Sequence, residues 1–198
     1  MKFRVLGLAL ALSVAFVLIS VLAFRFLVFI SQQHDDAALN AMMPLAQKNY
    51  LLAHRSAGEA LSSTSDDSDR ARIIQQVRET IRAAVPGGIA DHWVGEVRVV
   101  NGTREGDLGL TVRVGGELMI TNFWNDDSDM REHTLIPKDS ALSDIVAKLR
   151  PFDRVEFSAV LLGADDPSEE DHVERPNARA RFTSLKKLSE GGWTWWSR

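Results

Sequence analysis

The 198-residue chain carries 23 Lys and Arg against 27 Asp and Glu, a formal net charge of −4, and has no cysteine. The lack of thiols excludes disulfides, thiolate metal sites and cysteine nucleophiles, and leaves the redox compartment open. The acidic balance disfavours general nucleic-acid affinity, which needs clustered positive charge, and the length suits one domain plus accessory segments.

Residues 5–24, VLGLALALSVAFVLISVLAF, hold no charge, and 13 of the 20 are Leu, Ile, Val or Phe. Such residues favour bilayer insertion by about 4–8 kcal/mol in total. Arg25 interrupts the run and FLVFI follows. One arginine near the end of a span costs at most about 3 kcal/mol, less when it snorkels. The apolar core exceeds that of a cleaved signal peptide, and bulky FRFLVFI lies where a small-residue cleavage site belongs. The reading is a signal-anchor over residues 1–30, spanning the membrane through 5–30. Lys2 and Arg4 precede the span and SQQHDD follows it, so the basic side stays in the cytoplasm. In a bacterial cell this is a single-pass inner-membrane protein with a periplasmic C-terminal body. Without residues 1–30 the body has 20 basic and 27 acidic residues, a net of −7.

Residues 31–90 read as a helical neck. A first helix is predicted over 36–61, with Leu39, Met42, Ala46, Tyr50, Ala53, Ala57 and Leu61 at helical spacing; Pro44 bends it or starts it. SSTSDDSD, 62–69, is a breaker with several candidate N-caps. A second helix runs from about 69 to 85, with Ile73, Ile74, Val77, Ile81 and Val85 on one face, and PGG at 86–88 ends it. These apolar faces suit packing on each other, on the body or on a partner.

From residue 92 the period becomes two. HWVGEVRVV is a strand with Trp93, Val97 and Val99 on one side, and NGTREG, 101–106, is a turn. In DLGLTVRV, 107–114, Leu108, Leu110, Val112 and Val114 point inward and Thr111 and Arg113 outward. Gly115 and Gly116 turn the chain into a third strand, ELMITNFW, 117–124. SALSDIVAKL, 140–149, is a short helix that Ser140 caps, with Leu142, Ile145, Val146 and Leu149 as its stripe. DRVEFSAVLLG, 153–163, and ARARFTSLKKL, 178–188, are the fourth and fifth strands.

Three strands, a helix and two strands are the element order of the OB-fold, a small five-stranded barrel. The segment from Trp93 to Leu188 resembles that family, WVGEV and LRPFDRVEFSAVL included. It is also similar to membrane-anchored proteobacterial-type proteins of unassigned role that carry a stretch like FWNDDSDMREHTLI after the third strand. The expected fold class is α+β: an N-terminal transmembrane helix, two amphipathic helices, then a small OB-like antiparallel β-barrel over 91–190 with one helix between strands three and four. Another small antiparallel barrel or sandwich is the alternative. Residues 191–198 form a Trp-rich tail.

The resemblance implies ligand binding on the face of strands two and three. It points to Thr111, Arg113, Met119, Thr121, Phe123 and, beside them, Trp124. Asn125, Asp127 and Asp129 match the start of a calcium loop, but the glycine and the twelfth-position glutamate are missing, so a solvated turn is the simpler reading. No metal or cofactor is expected. The loop 164–177 carries six carboxylates that repel phosphates, while Arg179, Arg181, Lys186 and Lys187 on the last strand pair with it or offset it. No nucleophile elbow, zinc-helix motif or phosphate loop is present. His133 beside Asp129 and Glu132 is the one acid–base candidate. Trp193, Trp195 and Trp196 in the tail suit covering the fold, meeting the membrane surface or binding a partner. The expectation is a non-catalytic module that binds or scaffolds an envelope protein or glycan, or associates with itself. Single-stranded nucleic-acid or oligosaccharide binding by the OB face, and an unrecognised enzyme, are the alternatives.

Overall fold

The computed structural model describes residues 37–116, 118–123, 133–162 and 177–189. The chain divides into two units, Met1–Ala41 and Met42–Arg198. In the first, residues 37–41 are helical; the expected anchor lies outside the described residues. Among the described residues no helix is long and apolar enough to cross a membrane.

The helix predicted over 36–61 is broken at Met43–Pro44. Proline disfavours helical backbone at the residue before it and has no N–H to donate into a preceding turn. Pro44 therefore sits extended, at φ −64° and ψ 158°, as the N-cap of α1, Leu45–Ser62. The break rotates the apolar stripe. Met43 is buried, whereas Met42, expected on the inner face, is 45% exposed. Helix α2, Asp67–Ala84, starts at Asp66, whose carboxylate accepts the Asp69 amide at 2.9 Å. Asp67 and Asp69 in its first turn and Arg82 in its last complement the helix dipole. Ala53, Ala57 and Leu61 of α1 share a core with Ile74, Val77 and Ile81 of α2.

Five strands follow: β1 (Ile89–Gly102), β2 (Leu108–Gly115), β3 (Leu118–Thr121), β4 (Arg154–Leu161) and β5 (Asn177–Ser189), with helix α3 (Ala141–Val146) between β3 and β4. Their ladder order, β1-β2-β3-β5-β4, closes through the β1–β4 pairing. The predicted antiparallel arrangement needs one correction, because β3 and β5 pair in parallel. A parallel pair needs a long crossover, and α3 with β4 supplies it. Strand β1 serves two partners, β4 along its first half and β2 along its second, with Glu96 opposite both Arg154 and Arg113. Gly95 permits that crossing. A Cβ there clashes with Val112 Cγ1 and comes within 2.7 Å of the Arg113 carbonyl oxygen.

Bulges in β1 overturn a second expectation. The register shifts between Val97 and Val99, so Val97 points inward and Val99, now opposite outward Thr111, is 41% exposed. One extra residue reverses the alternation that strict period-two counting assumes. Asn101 and Gly102, expected in the turn, are the last paired residues of β1; the turn begins at Thr103, whose amide donates to Asp107 O. Ile145, expected in the stripe of α3, is 37% exposed, whereas Val146 and Leu149 are buried.

Trp93, Phe157, Leu110, Ile120 and Val112 fill the barrel, each under 2% exposed. Phe157 and Phe182 meet edge to face at 5.3 Å. The helices belong to the same core, since Tyr50 lies 5.0 Å from the Trp93 ring. Burial pushes the Tyr50 phenol above its ordinary pKa. Gln47, fully buried in the first turn of α1, acts as a polar rivet. Its Nε2 donates to Val94 O at 2.7 Å and Val114 O at 2.9 Å, and its Oε1 accepts the Val94 amide at 2.9 Å. Strand backbone that would otherwise be orphaned beneath a helix is thereby satisfied.

Candidate binding surface

The outward side of β2 and β3 is set by cross-strand pairs. Arg113 faces Met119 and Thr111 faces Thr121, and the parallel ladder adds Asn177 beside Met119 and Arg179 beside Thr121. Inward Val112, Val114, Leu118 and Ile120 fix this orientation, because neighbouring positions alternate between faces. The structure thus brings Arg113, Met119 and Thr121 together, with Phe123 at the end of the row. Trp124, the acidic stretch 125–129, the loop 164–176, and Trp193, Trp195 and Trp196 lie outside the described residues.

The row is internally organised. The Glu96 carboxylate is 10% exposed and lies between two guanidiniums, at 2.9 Å from Arg98 Nη1 and 3.5 Å from Arg113 Nη2. Arg113 also donates to Gly116 O at 3.4 Å. The Arg98 guanidinium lies 5.2 Å above the Phe152 ring. Phe152 has a left-handed backbone, φ 73°, which costs an L-residue roughly 1–2 kcal/mol. Its amide bond to Val97 O, 2.7 Å, and its place under Arg98 offset that cost. Beside it, Asp153 is buried, accepts the Arg150 amide at 2.8 Å and pairs with Lys187 Nζ at 3.0 Å.

Thr121 is buried, and its hydroxyl is taken up by the fold. It lies 3.0 Å from the Thr111 hydroxyl and bonds both backbone groups of Phe123. Those bonds end β3 at Thr121, three residues short of the predicted Trp124. Asn122, 1% exposed, then substitutes for strand backbone along β2. Its Oδ1 accepts the Leu110 amide at 2.6 Å, and its Nδ2 reaches Leu108 O and Thr134 O at 3.3 and 3.1 Å. Phe123 lies against Gly109, where any Cβ would come within 2.9 Å of the Phe123 Cβ.

Beyond Phe182 the surface opens into a cleft of about 580 Å³. Its floor includes Ile136, Pro137 and Phe182, and Asp107, His133 and Arg181 supply its polar groups. Arg181 Nε donates to His133 O at 3.2 Å, and Asp107 Oδ1 accepts the Lys138 amide at 3.1 Å. His133 is exposed in a left-handed conformation, φ 49°, and its expected partners Asp129 and Glu132 lie outside the described residues. Among the described residues no group of His, Asp and Glu is arranged to hold a metal ion.

Sequence reasoning missed one polar cluster. His92 Nδ1 meets Glu156 Oε1 at 2.9 Å, while Ser158 Oγ bonds Asp91 Oδ1 at 2.9 Å and accepts the His92 amide at 3.1 Å. The Glu156 hydrogen bond, then the charges of Asp91 and Glu156, raise the His92 pKa. The cluster is wired as two pairs, His–Glu and Ser–Asp. Asp91 and His92 fall at the β1 bulge between Ala90 and Trp93, and the partners are more than 60 residues away. Only knowledge of the β1–β4 register would have shown it.

Compared with protein-family models, curated proteins and solved structures, the chain matches none.

Proposed function

We propose that the chain is a membrane-anchored, OB-type binding module of the bacterial envelope, non-catalytic, that holds an extended acidic segment of another envelope protein along β2, β3 and β5. The OB reading is supported by the closed strand order, the parallel β3–β5 pair and the helix between β3 and β4. The anchor and its orientation rest on residues 1–30 and their flanking charges.

The observation that carries the partner assignment is the outward row of Arg113, Met119, Arg179 and Arg181, which runs toward the cleft of about 580 Å³. Arg179 and Arg181 lie beside Arg113, which is itself paired with Glu96, on a body whose net charge is −7. Such a stripe steers an acidic segment to this face, while the acidic surroundings repel it elsewhere. Guanidinium forks grip carboxylates and backbone carbonyls, and the apolar cleft floor receives one anchoring side chain. The same arginine row favours an anionic oligosaccharide or single strand as a second reading, marked by a steeper loss of binding with salt.

The test is affinity purification of the full chain from membranes. The wild type should retain one envelope protein, and the Arg179→Glu/Arg181→Glu variant should lose at least ten-fold of it. Undiminished retention by the variant, or recovery of the chain alone, contradicts the proposal.

A further inference from the structure

We propose that the groove between α1 and α2 is the docking slot for the chain's own Trp-rich segment, residues 191–198. The groove has a volume of about 490 Å³. Small side chains at Ala53, Ser56, Ala60, Ala83 and Ala84 line it together with the aliphatic Ile73 and Val77. Leu52 at its edge is 60% exposed and Leu45, two turns earlier on the same helix, is 72% exposed. A slot with small and aliphatic walls and an exposed leucine at its edge suits a large flat ring. Asn49 and Gln76 also line it and offer amide oxygens to an indole N–H. Tryptophan needs that combination of apolar walls and one polar partner.

The occupant follows from where the chain goes. Strand β5 ends at Ser189, opposite Arg154, and Arg154 is opposite Glu96, two residues past Val94. Val94 is the residue that Gln47 of α1 grips. With strands roughly 4.8 Å apart and about 3.3 Å of rise per residue, the end of β5 lies about 12 Å from that grip. Asn49 is the next-but-one residue of α1 after Gln47. An extended chain reaches about 13 Å from Ser189 to Trp193 and about 23 Å to Trp196. The tail therefore spans the distance with three indoles among its last eight residues. A second copy seated in the same groove is the competing occupant, and the experiment separates the two.

The chain contains no cysteine, so introduced pairs report only on themselves. Thr194→Cys, which keeps all three indoles, is combined in turn with Asn49→Cys, Leu52→Cys and Ser56→Cys, and with Asp139→Cys on the barrel as a control. The full-length variants are oxidised mildly in membranes. All five substituted positions in these pairs are either solvent-exposed or in the tail, and matching melting curves verify that each variant folds. The proposal expects fast-migrating intramolecular disulfides from at least one groove position and none from Asp139→Cys. It also expects trapping to slow ten-fold or more when Trp193→Ala and Trp195→Ala are added. Disulfide-linked dimers in place of the intramolecular form, equal trapping at the control, indifference to the tryptophan changes, or no trapping at any groove position overturns it.

Discussion

At the scale of single residues, the fold depends on buried polar side chains that replace missing backbone partners. Gln47 makes three hydrogen bonds to β1 and β2. Gln47→Leu keeps the volume but orphans strand N–H and C=O groups, and should cost about 2–4 kcal/mol in denaturant unfolding of the body lacking residues 1–30. Asn122→Ala removes two bonds to β2 and one to Thr134 O and should cost a similar amount, about 2–4 kcal/mol, by the same assay. His92 supplies a pH dependence. Its folded pKa lies above the ordinary 6.5, so its bond to Glu156 stabilises the fold fully below pH 6.5 and fades as pH rises through the folded value. The stability difference between wild type and His92→Gln should therefore shrink as pH is raised from 5 toward 9, and a difference that grows with pH would contradict this assignment. None of these three roles was legible in the sequence. Each joins residues from different elements, and polar side chains carry no periodicity that marks them as buried.

At the scale of elements, hydrophobic period and capping located α1, α2, α3 and the five strands, because those signals are local, whereas the short 3-10 turn at Pro86–Gly88 was read only as a helix end. Ser140 was expected to cap α3, and its hydroxyl accepts the Ser143 amide at 3.2 Å. The alternation of β2 placed Thr111 and Arg113 outward, as found. Failures occur where a single residue breaks the period: Pro44 turned one predicted helix into two segments, and the β1 bulge turned Val99 outward. The β3 boundary was missed because Thr121 and Asn122 end the strand through side-chain bonds, whereas Phe123 has strong strand propensity. Gly95 is tightly constrained, with both a side chain and a carbonyl in the way of a Cβ. Gly95→Ala should lower stability by about 2–4 kcal/mol or prevent folding, seen as loss of the cooperative unfolding transition.

At the scale of the whole molecule, helices and sheet form one core running from Tyr50 to Leu185, so the helical pair is part of the body's stability as well as its reach. Part of the candidate surface was readable beforehand. Arg113, Met119 and Thr121 follow from strand alternation once the OB order is assumed. The roles of Arg179 and Arg181 depended on the parallel β3–β5 register, and the cleft on a turn that returns Ile136 to pair with Leu108. Long-range pairings of this kind leave no trace in local composition. In the proposed function the outward face of β2, β3 and the first half of β5 is the recognition surface, and the outward side of β4 has no part in it. The direct measurement is a photo-crosslinking amino acid placed singly at Met119, Arg179 and Arg181, and at Glu156, Ser158 and Val160 of β4, in the full chain in membranes. One envelope protein should be captured from the first three positions and not from the second three. Capture from the β4 side, or equal capture from all six, would contradict it.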